Sequence, residues 1–252
     1  ACAQLAERMG LVAARLTAST PEDVSFHDGR FVVKGKPQAE MSLAQIAGTM
    51  LARSDLLPAG VTPNADATHV WTAEGRTPAD EEGRAKSYLT AAQAVHVVAV
   101  EIDRRTGVVE IVKYCLADDC GTRLNPIVVD GQTDGGVAQG VGAALYEEYV
   151  YDDQAQPLTT SFMDDLIPSI HEVPAIEKTA VVTPSPFTPL GAKGCGEGAI
   201  HTTPAVLMCA LNDALAPLGT MAREVPASPE RLWRLISDAE RTANGTDGST
   251  RT

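Results

Sequence analysis

The stretch AVHVVAVEIDRRTGVVEIVKYCLA, residues 94–117, constrains the fold more than any other part of the chain. Two runs rich in Val and Ile, near 95–102 and 108–117, flank a short loop that contains Gly107. Such a pattern predicts an antiparallel β-hairpin. Helical patterns stand before and after it without a regular βαβ alternation. The sequence therefore predicts an α+β fold, with mixed sheets and helices.

Local signals predict the elements before this hairpin. Apolar residues at helical spacing predict a first amphipathic helix, and they are Leu5, Met9, Val12 and Leu16. Asp28-Gly29 lies between two short β-type runs, which predicts a small hairpin. Ser42, followed three residues later by Gln45, is typical of a capping box at the start of a second helix. Residues 54–93 show weak periodicity, and we expect them to be irregular.

Further helices and strands are expected after residue 130. A glycine-containing helix is predicted over 133–148, and Thr203 is predicted to cap a helix whose first residue is Pro204. A last helix is expected from the Ser228-Pro229 pair, and short strands near 158–163 and 176–183.

Length and composition limit the domain organisation and the class of protein. The 252 residues, 44% of them hydrophobic, predict one large region over 1–240. That region could hold two intertwined subdomains divided near 90–130, and the small polar segment 241–252 is expected to be a disordered tail. The net charge of -13 without a basic cluster argues against nucleic-acid binding, and no apolar run has transmembrane length. A cytoplasmic location is expected.

The cysteines and histidines do not indicate a protein-ligated metal. Five cysteines occur without a CxxC pair, and five histidines occur without HExxH spacing. A disulfide framework or a zinc site is therefore not expected. A metal carried inside a cofactor remains compatible with the sequence.

The stretch GAKGCGEGAI, residues 191–200, places four glycines around Glu197 just before a predicted helix. Glycines let backbone N–H groups approach an anion, and a helix N-terminus favours negative charge. A second glycine-rich segment begins at Gly131-Gln132. These loops indicate one anionic, hydrogen-bond-rich cofactor, although neither matches a Walker or Rossmann loop. Because both would contact this cofactor, we expect Gly131-Gln132 and Gly194–Glu197 to lie close together. Glu197 could be a general base or an acid that complements the helix dipole.

Several longer motifs resemble the molybdenum hydroxylase family, which includes xanthine dehydrogenase, aldehyde oxidoreductase and aerobic carbon monoxide dehydrogenase. The resemblance covers nearly the whole chain and lies in the C-terminal part of the large, molybdopterin-binding subunit. The segments that carry it are DDCGTRLNP, GQTDGGVAQGVGAALYEE, TTSFMDDLIPS and TPSPFTPLGAKGCGEGAIHTTPAV.

The resemblance implies a molybdopterin cofactor with molybdenum, in the cytosine dinucleotide form, with no protein side chain on the metal. Glu197 matches the active-site glutamate that takes a proton from the water-derived oxygen attacking the substrate. The cofactor-binding positions that it implies are Gly131, Gln132, Lys193, Gly194, Cys195 and Gly196. Within this set we expect Cys195 to make packing or backbone contacts, and not to act as a nucleophile.

The resemblance also implies partners: the upstream half of the molybdenum subunit, an FAD subunit and a [2Fe-2S] subunit, in a dimer of heterotrimers. The implied activity is oxidation of a small substrate, an aldehyde, an N-heterocycle or carbon monoxide, and the isolated chain is expected to be inactive. A non-catalytic interaction module that keeps the fold without metal is the alternative. A generic phosphate- or nucleotide-binding protein is a third hypothesis, based on the glycines alone.

Overall fold

Residues 1–247 are described by a computed structural model, in which the chain divides into two units at residues 72 and 73. The first unit contains α1 (Cys2–Leu16), β1 (Val24–His27), β2 (Arg30–Val33), β3 (Met41–Ser42) and α2 (Leu43–Ala52). The second contains β4 (Gln93–Ile102), β5 (Val109–Asp119), α3 (Pro126–Leu145), β6 (Ile176–Ala180), α4 (Gly198–Leu215) and α5 (Pro229–Asp247). Helices and mixed sheets together confirm the α+β prediction.

The first unit packs two helices on a three-stranded antiparallel sheet in the order β1-β2-β3. The turn between β1 and β2 has positive φ at both Asp28 (46°) and Gly29 (76°), as a tight two-residue hairpin requires. The predicted capping box is present, because the Ser42 hydroxyl accepts from the Gln45 N–H and the Gln45 side chain accepts from the Ser42 N–H. The core of this unit is formed by Met9, Val12, Ala13, Phe31, Ile46 and Met50.

The second unit is built on the predicted hairpin, which is confirmed as the antiparallel pair β4–β5. β6 adds to β5 in parallel, so the sheet is mixed, with the order β4-β5-β6. Both strands of this hairpin belong to the second unit, which begins at residue 73, and a subdomain division near 90–130 stays a prediction. The core joins the sheet to three helices through Tyr114, Leu116, Val137, Val141, Leu207, Leu211, Leu232 and Ile236.

The helix α3 begins at Pro126, earlier than the predicted residue 133. Asn125 caps it, since its side chain accepts from the Val128 N–H at 3.3 Å, and Pro126 suits the first helical position. Gly131 and Gln132 therefore lie inside the helix and not at its mouth.

The helix α4 begins at Gly198, six residues before the predicted start at Pro204. Thr203 is not its cap. It is a buried residue inside the helix, and its hydroxyl donates to the Ala199 carbonyl at 2.8 Å. Glu197 occupies the N-cap position instead.

Two further predictions differ from the structure. No strand forms over 158–163; the Asp164 carboxylate accepts hydrogen bonds from Thr160 and Ser161 and folds this segment into a turn. The helix α5 extends to Asp247, so residues 241–247 of the predicted disordered tail are helical, and 248–252 lie outside the described residues. No helix within residues 1–247 combines the length and apolar character needed to cross a membrane.

Candidate functional site

The glycine loop, defined as residues 191–197, follows β6 in the chain, lies against the end of β5 and leads into α4. Its first half is bound to the chain just after β5. The Gly191 carbonyl accepts from the N–H of Thr122 at 3.0 Å, and the Lys193 N–H donates to the Cys120 carbonyl at 2.7 Å. Gly121 allows this close approach, because its φ is +68° and an added Cβ would lie 2.2 Å from the Gly191 carbonyl oxygen. The loop is therefore held firmly at its start.

A largely buried ion pair between Asp119 and Lys193 holds the loop in place. The Lys193 ammonium lies 3.0 Å from the Asp119 carboxylate and donates to the Thr183 hydroxyl at 2.7 Å. Asp119 also accepts hydrogen bonds from Thr183 and from the Gly121 N–H. These hydrogen bonds, led by that of the Thr183 hydroxyl, hold the pKa of Asp119 well below its usual range. The side chain of Lys193 is thus engaged within the protein, and its part in cofactor binding stays a prediction.

The second half of the loop presents unpaired backbone donors. The N–H groups of Gly194, Cys195 and Gly196 donate no hydrogen bond to any group within residues 1–247. The first turn of α4 follows at once, and its N–H groups have no intrahelical partner either. A run of such donors before a helix N-terminus is suited to an anionic or acceptor-rich ligand.

Gly191 has a positive φ of 72°, whereas Gly194, Gly196 and Gly198 are not required by the backbone conformation. A Cβ added at Gly194 or Gly198 would meet nothing within 4 Å, and at Gly196 only the Gln132 side-chain oxygen at 3.9 Å. None of the three has the positive φ that favours glycine. Their small size therefore leaves space open next to the free N–H groups, as a backbone cradle for a ligand requires.

Gln132 lies beside this cradle, as its distance to the Gly196 position shows. The sequence prediction that the two glycine-rich segments lie close together is thus confirmed. Two acidic neighbours of Gln132 in α3 are neutralised, because Asp130 pairs with Arg123 and Asp134 lies 2.7 Å from the Lys178 ammonium. An anionic ligand next to Gln132 would therefore meet little repulsion from this helix.

Glu197 has an exposed carboxylate at the N-cap of α4. Its side chain makes no capping hydrogen bond and no ion pair with another described residue. Glu197 therefore does not act as an N-cap through its side chain, while its charge still complements the helix dipole. The carboxylate is free to contact a ligand held by the cradle.

Two glycines of α3 have a different role from those of the loop. An added Cβ would lie 2.8 Å from the Ala199 Cβ at Gly136 and 2.4 Å from the Thr203 Cβ at Gly140. The helices α3 and α4 therefore pack through these glycines, which places Gln132 and Glu197 on the same side of the unit.

Sequence reasoning missed several residues that shape the site. Asp119 and Thr183 hold Lys193, and His96 is bonded through Tyr114 to Thr203. The acidic pair in DDCG could have pointed to Asp119, but its partners lie more than 60 residues away. Among residues 1–247, no three His, Cys, Asp or Glu side chains are placed to hold a metal ion.

Comparison with known proteins gives the family. The family described as "Molybdopterin cofactor-binding domain" matches residues 1–174. The large subunit of nicotine 6-hydroxylase from Paenarthrobacter nicotinovorans is 35% identical over 90% of this chain and 26% of its own length. The carbon monoxide dehydrogenase large chain of Hydrogenophaga pseudoflava is 29% identical over 90% of this chain and 26% of its own length.

A solved structure agrees with these matches. Quinoline 2-oxidoreductase from Pseudomonas putida 86 superposes with a TM-score of 0.74 at 36% identity, covering 94% of this chain and 28% of that one. The chain thus spans about a quarter of the length of the relatives it matches. It belongs to the molybdenum hydroxylase family and is part of a large, molybdopterin-binding subunit.

Proposed function

We propose that this chain is the C-terminal part of the catalytic subunit of a molybdenum hydroxylase, with Glu197 as the base of the reaction. The observation that carries the proposal is one juxtaposition. Three consecutive unpaired N–H groups, at Gly194, Cys195 and Gly196, lie beside Gln132 and directly before the exposed, unbonded carboxylate of Glu197.

The residues present fit molybdopterin. Its anionic and acceptor-rich groups suit the free N–H groups of the loop, and the open space at the glycines admits a close approach. Gln132 can donate and accept next to it without adding charge. When bound, the cofactor supplies the metal centre that accepts two electrons from the substrate. We propose the cytosine dinucleotide form.

The protein's own contribution is position and proton transfer. The Asp119–Lys193 pair and the Gly191 contacts hold the loop, so that its N–H groups need no reorganisation when the ligand binds. The Glu197 carboxylate accepts the proton of the water-derived oxygen that attacks the substrate carbon. A positioned base of this kind contributes about 10²–10⁴-fold to a rate.

An N-heterocycle is the substrate class that we favour over an aldehyde or carbon monoxide. Two of the relatives, each about one-third identical, are named for reactions of nicotine and quinoline, which both contain a nitrogen ring.

We further propose that the upstream half of the subunit covers this chain, and that an FAD subunit and a [2Fe-2S] subunit complete a dimer of heterotrimers. Large apolar side chains of residues 158–170 support such a cover, since Phe162, Met163 and Ile170 are 85–88% exposed. The isolated chain is then inactive. A cytoplasmic location remains a prediction from the sequence.

Molybdenum and pterin analysis of the protein purified with its partner subunits tests the proposal. We expect about one molybdenum and one pterin per large subunit, and a lower content of both in the Gln132→Ala variant. A metal-free, pterin-free complex with the same subunit composition would instead identify the chain as an interaction module.

A further inference from the structure

A series of buried hydrogen bonds connects β4, β5 and α4 next to the glycine loop. His96 Nδ1 lies 2.8 Å from the Tyr114 hydroxyl, which lies 2.9 Å from the Thr203 hydroxyl. The Thr203 hydroxyl lies 2.8 Å from the Ala199 carbonyl oxygen, one turn earlier in α4. All three side chains are buried, with Tyr114 and Thr203 at 0% exposure and His96 at 8%.

The hydrogen positions in this series of bonds follow from the carbonyl acceptor at its end. The Ala199 carbonyl can only accept, so the Thr203 hydroxyl donates to it. Thr203 then accepts from Tyr114, and the Tyr114 oxygen in turn accepts from His96 Nδ1–H. The opposite direction would leave the oxygens of Thr203 and Ala199 at 2.8 Å with no hydrogen between them.

His96 therefore carries its proton on Nδ1 and presents an unprotonated Nε2. Burial lowers the pKa of His96, against a weaker opposing effect of Asp118, which favours this neutral form. Nε2 is fully buried and has no hydrogen-bond partner among residues 1–247. A buried acceptor without a partner is costly, and native proteins satisfy nearly all of them.

A small cavity lies at this position. Its volume is about 20 Å³, and its lining includes His96, Cys120, Thr133, Cys195 and Ala199. One water needs at least roughly 10–15 Å³ by the same measure, whereas ligand pockets are usually larger than about 300 Å³. The cavity therefore has room for a water and none for a pterin ring.

We propose that His96 Nε2 binds one structural water between the β4–β5 hairpin and the glycine loop, and that His96 is a positioning residue for this loop. The water donates one hydrogen to Nε2. Its second hydrogen has an acceptor in the lining at the Thr133 oxygen, whose own proton goes to the Val129 carbonyl. His96 and Thr133 line the same cavity, and two polar partners are the usual minimum for a buried water.

The water would act on the loop through Gly194 and Cys195, which line the same cavity. The Asp119–Lys193 pair holds the start of the loop, and the water supports the part that presents the free N–H groups. The water belongs to the protein itself, so it is expected whether or not the cofactor role of the loop is correct.

A crystal structure of the assembled protein, at a resolution that shows ordered waters, tests the site directly. We expect a water about 2.7–3.2 Å from His96 Nε2. A dry cavity in a well-defined map, or a cofactor atom bonded to Nε2, would overturn the proposal.

Two matched variants test the positioning role by hydrogen exchange with mass spectrometry. His96→Asn keeps an amide donor for Tyr114 and removes the acceptor at the Nε2 position, whereas His96→Gln can place an amide oxygen there. For the hydrogen-bonded amides of Lys193 and His201, which flank the free N–H groups of the loop, we expect exchange about three- to tenfold faster in His96→Asn. His96→Gln should be closer to the parent, and exchange over 100–112 should be unchanged in both variants.

Tyr114→Phe provides a second route if His96→Asn does not fold. It keeps the ring and removes only the hydroxyl that fixes the His96 tautomer, so water occupancy should fall and loop exchange should rise. Unchanged exchange in the loop for both His96→Asn and Tyr114→Phe would show that His96 does not position it. The molybdenum content, measured on the same samples, separates this result from a failure of the proposed function.

Discussion

Replacing Gly140 by alanine tests how α3 and α4 place the site residues. The new Cβ would lie 2.4 Å from the Thr203 Cβ and 2.8 Å from its Cγ2. Carbon atoms in good contact are about 3.5–4.0 Å apart, so α4 must move away by roughly 1 Å or more. No side-chain rotation relieves a contact between two Cβ atoms.

The expected result is a loss of stability despite better helix propensity. Overpacking costs about 1–3 kcal/mol, and alanine returns up to about 1 kcal/mol relative to glycine in a helix. Because the contact is so short, we expect a net decrease of about 2 kcal/mol in the free energy of unfolding. The shift of α4 should also weaken the hydrogen bond between Thr203 and Tyr114.

Gly135→Ala is the matched control in the same helix. Gly135 is exposed, and an added Cβ would meet nothing within 4 Å. This variant should gain about 0.5–1 kcal/mol. Chemical denaturation followed by circular dichroism measures both variants. If Gly140→Ala were as stable as Gly135→Ala, the close packing of α3 on α4 would be refuted.

Three further predictions concern the loop and its surroundings. Gln132→Ala should lower molybdenum content or turnover without changing folding, and parent values for both would refute its role. Asp119→Asn leaves Lys193 without its counter-ion and should lower cofactor content, whereas Glu177→Gln removes only an exposed ion pair and should not. Because the pKa of Asp119 is depressed in the folded state, its stabilisation is present at neutral pH and is lost as the pH falls below about 4. Acid denaturation of the parent and of Asp119→Asn can compare this loss. Cys195→Ala should keep appreciable activity and molybdenum, and complete loss of the metal would show that our interpretation is wrong.

Local signals in the sequence predicted the elements that depend on neighbouring residues. The hairpin β4–β5, the Asp28-Gly29 turn and the Ser42–Gln45 capping box were all confirmed. Each is decided by residues only a few positions apart, through strand patterning, positive φ or a reciprocal hydrogen bond. The proximity of Gln132 to the glycine loop was also predicted, from the argument that both segments contact one cofactor.

Distant contacts decided the features that the sequence did not predict. Threonine is common at helix N-caps, but Thr203 is buried against Tyr114 and lies inside a longer helix. Lys193 was expected at the cofactor because its loop resembles the family's cofactor-binding loop, and only the folded chain shows that Asp119 engages its side chain. The glycines of α3 and of the loop look alike in sequence. Their different roles depend on whether another helix lies against them.

Glu197→Gln in the assembled protein is the most direct test of the proposed mechanism. The amide keeps the size of the side chain at the N-cap of α4 and removes its ability to accept a proton. We predict parent levels of molybdenum, pterin and subunits, with turnover lower by at least roughly 10²–10⁴-fold. Glu177→Gln, at an exposed carboxylate on β6, is the control and should retain parent turnover. Metal analysis and steady-state rates on one preparation make the measurement, and near-parent turnover of Glu197→Gln with full metal loading would contradict the account.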